Sequence, residues 1–165
     1  MKLKPETLTQ HVIPKVLHGV NLRLYWGNSS SKWKNLGKEI REKQNNICIA
    51  CGREVPHKNY DWLELHEEFS YDYVNKIARI DSMVCLCGKC HRYIHQGNLR
   101  MQLLAGIVSI EYVNEVISRG DKILEKHNLK KQQIDNDTFN SPDWKLIYQG
   151  EDLGKLLVKK KNNKK

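Results

Sequence analysis

Two Cys-x-x-Cys pairs, Cys48-Ile-Ala-Cys51 and Cys87-Gly-Lys-Cys90, are the residues whose type and spacing most directly imply chemistry. Each pair sets two thiolates one tight turn apart, and together they supply the ligands of a closed tetrahedral zinc site. Four unconnected buried thiols are the bland alternative, and paired spacing at both ends argues against it. The fifth cysteine, Cys85, alternates onto the same strand face as Cys87. A two-residue step along a strand is poor knuckle geometry, so Cys85 reads as a small core residue.

With the thiolates on zinc, the neighbouring histidines are left over. His91 and His95 follow Cys90 at an i, i+4 spacing, which places them on one face of a helix. Upstream, Leu63-Glu-Leu-His66-Glu67-Glu68 alternates as a strand, with Glu64, His66 and Glu68 on one side and Leu65 and Glu67 on the other. Surplus histidines facing His66 imply a second metal at a site with an open position. His11, His18, His57 and His127 lie outside any motif and read as solvent-facing or structural.

The order of these blocks, ending in Leu86-Cys87-Gly-Lys-Cys90-His91-Arg-Tyr-Ile-His95, resembles the HNH endonucleases (ββα-metal nucleases), in the subgroup with a four-cysteine zinc site. The likeness covers about residues 33–97, and more loosely the helical segment beyond. It implies an α+β chain: a ββα-metal (HNH, or His-Me finger) core flanked by an N-terminal helix and a long C-terminal helix. It further implies a DNA endonuclease that hydrolyses phosphodiester bonds with one divalent metal, Mg2+ or Mn2+, and a histidine general base, beside a structural Zn2+. His95, with His91, takes the place of the catalytic-metal ligands; His91 could instead orient the zinc thiolate it follows.

The first strand departs from the family pattern of a ligand followed by a base. Anchored on Glu64, His66 falls on the ligand position and Glu67 on the base; anchored on histidine identity, His66 is the base and Leu65 holds the ligand position. The central Asn of the family falls at Ser82, a hydrogen-bond donor of shorter reach. These departures keep a second reading in view, a zinc-stabilised DNA-binding module without catalysis. A third, a zinc nucleobase deaminase, takes His66-Glu-Glu68 and Cys87-Gly-Lys-Cys90 as its signature, but has Leu86 where proline is expected and no use for Cys48 and Cys51.

Across the 165 residues, 28 Lys and Arg outnumber 19 Asp and Glu, a formal charge of +9 that favours a polyanionic partner such as duplex DNA. Lys32, Lys34, Lys38 and Arg41 crowd one helix, and Arg92 sits inside the histidine motif; these are the candidate DNA contacts. Five lysines in residues 158–165 form a basic tail that reads equally as a solvated end or a phosphate grip. No apolar run reaches the roughly 18 residues of a membrane span. The first residues lack a signal peptide's apolar core. A cytoplasmic protein with reduced thiols is expected, and family habit suggests a bacterial or phage setting.

Four stretches organise the chain: an arm over 1–28, the nuclease core with its knuckles over 29–106, a helical extension with a short strand over 107–150, and the basic tail over 151–165. Within them, a strand or turn is expected near 12–24 and a helix to about Asn45, capped from Ser29–Ser31. Strands are expected over 61–69 and 74–86, then a helix over 88–97 that continues through 98–105. Ser109 caps a long helix over 110–127, which Gly120 weakens. A polar loop over 130–143 and a last strand over 144–148 complete the expectation.

Overall fold

A computed structural model describes residues 2–9, 12–27, 31–56 and 62–155. The architecture is α+β. Two 3-10 helices, Pro5–Thr9 and Lys15–Leu17, precede helices α1 (Leu22–Trp26) and α2 (Ser31–Lys43). Strands β1 (Glu64–Asp72) and β2 (Ile77–Leu86) lead into α3 (Gly88–Ile94), giving the ββα order expected for the core. Helices α4 (Gln96–Leu104), α5 (Ile110–Lys126) and α6 (Asn136–Asn140) follow, then β3 (Lys145–Tyr148) and β4 (Glu151–Asp152). The strands form one sheet in the order β1-β2-β3-β4. A four-residue turn joins β1 to β2, too short for anything but an antiparallel hairpin. Among the described residues, no helix is long and apolar enough to cross a membrane.

The chain divides into two compact units, each drawn from three separate stretches. The first comprises Met1–His11, Glu39–His66 and Val84–Gln132. Here α3 packs on α5, and both touch the first 3-10 helix. Ser109 caps α5 as expected, its Oγ accepting from the Tyr112 N–H at 3.2 Å. Val116 and Leu124 on α5 are buried with Leu8, Val55, Leu63, Leu86, Ile94 and Leu99. Gly120 has a packing reason. A Cβ there would lie 2.1 Å from the ring of Tyr93, so the absent side chain is what lets α3 approach α5. The Tyr93 hydroxyl then donates to Asp121 at 2.6 Å, and Lys131 closes on the same carboxylate at 3.0 Å.

The second unit comprises Val12–Lys38, Glu67–Met83 and Gln133–Lys165. Its core gathers Leu17, Leu22, Ala78, Ile80, Trp144, Leu146 and Leu153, ringed by Trp26, Trp33, Tyr71 and Tyr148. β3 runs parallel to β2, with Ile77 opposite Lys145 and Arg79 opposite Ile147.

Several expectations are corrected. Residues 12–24 hold a 3-10 turn and α1, because Asn21 caps a helix start by accepting from the Leu24 N–H at 2.7 Å. Strand β1 begins and ends three residues later than expected, and β2 begins at Ile77 because residues 73–76 form the hairpin turn. The helix over 88–97 is interrupted at His95, whose ψ of 49° separates α3 from α4. The polar segment 130–143 contains α6, capped by Asp135 accepting from Thr138 at 2.8 Å. The expected caps Ser29 and Ser30, His11, His57 and the basic tail from 156 onward lie outside the described residues.

Candidate metal centre

Both knuckles, and all three motif histidines, belong to the first unit. The first knuckle turns tightly: Gly52 N–H donates to the Cys48 carbonyl at 2.9 Å, and Gly52 takes φ +73°, a conformation natural to glycine. The second knuckle opens α3, where His91 N–H reaches the Cys87 carbonyl at 2.9 Å. Between them, buried Gln44 spans from the end of α2 to β2. Its amide donates to the Cys85 and Ile47 carbonyls and its Oε1 accepts from Cys85 N–H, at 2.8–2.9 Å. That clamp fixes the strand entering the second knuckle.

Cys48, Cys51, Cys87 and Cys90 bring their sulfurs within 4.8 Å of one another. The Cys51 and Cys87 sulfurs stand 3.8 Å apart. A tetrahedral ion with Zn–S bonds of about 2.3 Å separates its sulfurs by about 3.8 Å, the spacing of this pair, so the four-cysteine group is compatible with zinc. Three of these cysteines are buried and Cys51 is half-exposed. Cys51 sits well below the ordinary thiol range, chiefly through its hydrogen bond with Cys48. Arg119 donates to the Cys51 sulfur at 3.6 Å. Cys85 stays outside the cluster, its thiol pushed up to about 12 by burial.

Beside the sulfurs stands a second group. One ring nitrogen from each of His66, His91 and His95 lies within 4.8 Å of the other two. The rings pack edge to face, with centroids 4.6 Å apart for His91 and His95 and 5.2–5.4 Å from each to His66. His66 is 3% exposed, and its buried Nε2 has no hydrogen-bond partner. Such an orphan costs about 1–3 kcal/mol, unless something supplies a bond. Burial, then the charges of His91 and His95, hold His66 well below its ordinary pKa, so the ring is neutral with a lone pair to give. His95 is lowered to about 4, first by burial.

Glu64 orients one of the three. Its Oε2 accepts from His91 Nδ1 at 2.8 Å, which leaves His91 Nε2 as the free lone pair. Burial works against the Glu64 charge, but the bond from His91 and the charges of His91, Arg92 and His95 hold its pKa below the usual range. The donor set, three imidazoles and a supporting carboxylate, suits a divalent transition metal and leaves coordination positions open.

No model of a known protein family matches the chain, and no solved structure matches significantly. A curated relative does. Over 101 residues, 54% of this chain, it is 28% identical to Zorya protein ZorE of Escherichia coli. The aligned stretch is 26% of that protein, so the chain spans about a quarter of the relative's length.

The remaining site residues are distributed as follows. Glu67 alternates away from His66 along β1, and its Oε1 accepts from the Leu22 N–H at 2.8 Å in the second unit. Ser82 donates to Glu68, itself buried. Lys32, Lys34 and Lys38 are exposed on α2, whereas Arg41 is half-buried and donates to the Leu63 carbonyl at 3.3 Å. Arg92 stacks over the Tyr112 ring at 5.8 Å, and one of its guanidinium nitrogens lies 2.8 Å from where a Cβ on Gly88 would be. Sequence reasoning missed Arg119, Gln44 and the Glu64–His91 bond. Only the last left a trace, a carboxylate alternating onto the His66 side of its strand.

Proposed function

We propose that the chain is a metal-dependent endonuclease that hydrolyses phosphodiester bonds of duplex DNA at the His66–His91–His95 centre. The observation that carries this reading is the orphaned, buried, neutral Nε2 of His66 facing two further imidazoles beside a four-cysteine zinc cluster. Motif order and net charge support it. His66, His91 and His95 would hold one divalent ion, Mn2+ in preference to Mg2+ because imidazole donors favour a transition metal, and Cys48, Cys51, Cys87 and Cys90 a Zn2+ that shapes the site. The divalent ion supplies electrostatic stabilisation of charge developing on phosphate and leaving-group oxygens. Glu64 keeps His91 in the tautomer that offers Nε2. A residue 3% exposed is poorly placed to take a proton from attacking water, so His66 serves better as ligand.

Plasmid cleavage with Mg2+ or Mn2+ tests the reading. Wild type should cut, and His66→Ala and His95→Ala should both weaken Mn2+ binding and lower the rate. If His66→Ala is inactive yet binds Mn2+ normally, His66 is the base instead. A second reading, the non-catalytic DNA-binding module, is favoured by Ser82 at the central position and by the Glu67 carboxylate being engaged with Leu22. Zinc-loaded protein that binds duplex DNA and never cuts it would establish that module. The deaminase reading finds no support, since its zinc needs only three protein ligands and Cys48 joins the other thiols.

A further inference from the structure

Beyond the histidine centre, the C-terminal half of α5 borders an open groove of about 450 Å3 whose wall includes the half-exposed thiolate of Cys51. Arg119, Lys122 and Lys126 line it, at steps of three and four residues that align them in one stripe along the helix. Ser118 adds a hydroxyl. The one acid in the wall, Glu115, is already engaged by Lys89. Lys122 and Lys126 are exposed, and neither forms an ion pair with another described residue. Arg119 divides its donors: one amine reaches Cys51, offsetting part of the negative charge of a four-thiolate zinc, while its buried Nε has no partner.

We propose that this groove is a second contact surface for nucleic acid, gripping consecutive backbone phosphates alongside the zinc cluster; it rests on the nucleic-acid reading above. The shape of the charge decides the ligand class. A single small anion is best held where cations converge on one point. Here seven residues of helix separate Arg119 from Lys126, a run of about 10 Å at 1.5 Å per residue. Phosphates of one DNA strand advance about 3.4 Å along the axis while winding around it, so a run of that length suits consecutive phosphates of a backbone better than one small anion. The contact is to backbone, hence indifferent to sequence, and would set the register of the strand rather than the chemistry.

The test is fluorescence anisotropy of the full, zinc-loaded chain on a short duplex between 50 and 200 mM salt. Each phosphate contact contributes about 0.9 to the slope of log affinity against log salt. The double variant Lys122→Ala/Lys126→Ala should lower that slope by about 2 and weaken binding several-fold. A double variant of two exposed lysines that do not line the groove, Lys130→Ala/Lys145→Ala, should leave it nearly unchanged, and Lys122→Arg/Lys126→Arg should restore it. Zinc content and Mn2+-dependent hydrolysis of bis(p-nitrophenyl) phosphate should match wild type in the groove variant, since the small ester cannot bridge to the groove. An unchanged slope in the groove variant, an equal drop in the control, or no duplex binding by wild type would overturn the proposal. Wild type that binds with the expected slope but never hydrolyses the ester would leave the groove standing and remove the nuclease reading alone.

Discussion

Glu64 and His91 are joined by a 2.8 Å hydrogen bond from Nδ1 to Oε2, and that bond decides which nitrogen of His91 faces its two sister rings. Carboxylates in this position fix the tautomer and raise ligand basicity, typically by 10- to 100-fold in metal affinity. Glu64→Gln should therefore weaken Mn2+ binding by about that factor in calorimetry while the zinc content stays at wild-type level. Wild-type affinity in Glu64→Gln would show that the bond does not support metal binding.

Cysteines inside and outside the cluster should behave oppositely. Cys87→Ser removes a ligand of the zinc cluster, so the variant should lose zinc by elemental analysis and fail to fold, because structural zinc binding and folding are one equilibrium. Cys85→Ala should retain a full complement of zinc and lose only on the order of 1 kcal/mol, the cost of trimming a small buried side chain.

Gly120→Ala tests the contact between α3 and α5. In an open helix the change would gain about 1 kcal/mol. Here the new methyl falls 2.1–2.4 Å from three ring carbons of Tyr93, and overpacking of this kind costs about 1–3 kcal/mol or more. The denaturation midpoint should fall, whereas in a Tyr93→Ala background, itself destabilised by the lost buried ring, Gly120→Ala should no longer lower it. A Gly120→Ala protein as stable as wild type would mean that the two helices separate at little cost.

Acid should destabilise the protein through its histidines. His95 titrates near 4 when folded and near 6.5 when unfolded, because burial disfavours its charge. Between those values the unfolded chain binds the extra proton, so stability rises with pH and is lost as pH falls from 6.5 towards 4. For His95 alone the loss is on the order of 3 kcal/mol. Urea midpoints of protein without added divalent metal should follow that slope, and His95→Gln should show a shallower one.

What the sequence makes legible here is local. A Cys-x-x-Cys knuckle is encoded within one turn, and Ser109 announces α5 because a cap needs only the next few N–H groups. The i, i+4 spacing of His91 and His95 also carries through, even though the helix breaks at His95, since one backbone bond from His95 to His91 survives the break. Features decided by distant partners left little trace. The parallel seat of β3 on β2 joins residues 77–79 to 145–147, and no local pattern specifies it. Gln44 reaches Cys85 across 41 residues, and Arg119 reaches Cys51 across 68. Alternation indicated which side of β1 His66 would take; only the tertiary fold brings it within reach of both other rings.

The stitching of the first unit from Met1–His11, Glu39–His66 and Val84–Gln132 has a consequence for synthesis. On a ribosome, every cysteine of the zinc cluster has been added by residue 90 and every histidine of the triad by residue 95, yet α5, against which α3 is seated, is still untranslated. Contacts so far apart in the chain make folding slow and expose unfinished surface. Thiolates and imidazoles would therefore emerge as an accessible chelator before their scaffold exists. Metal captured at that stage, and not only the metal preferred by the finished protein, can decide which ion each site contains.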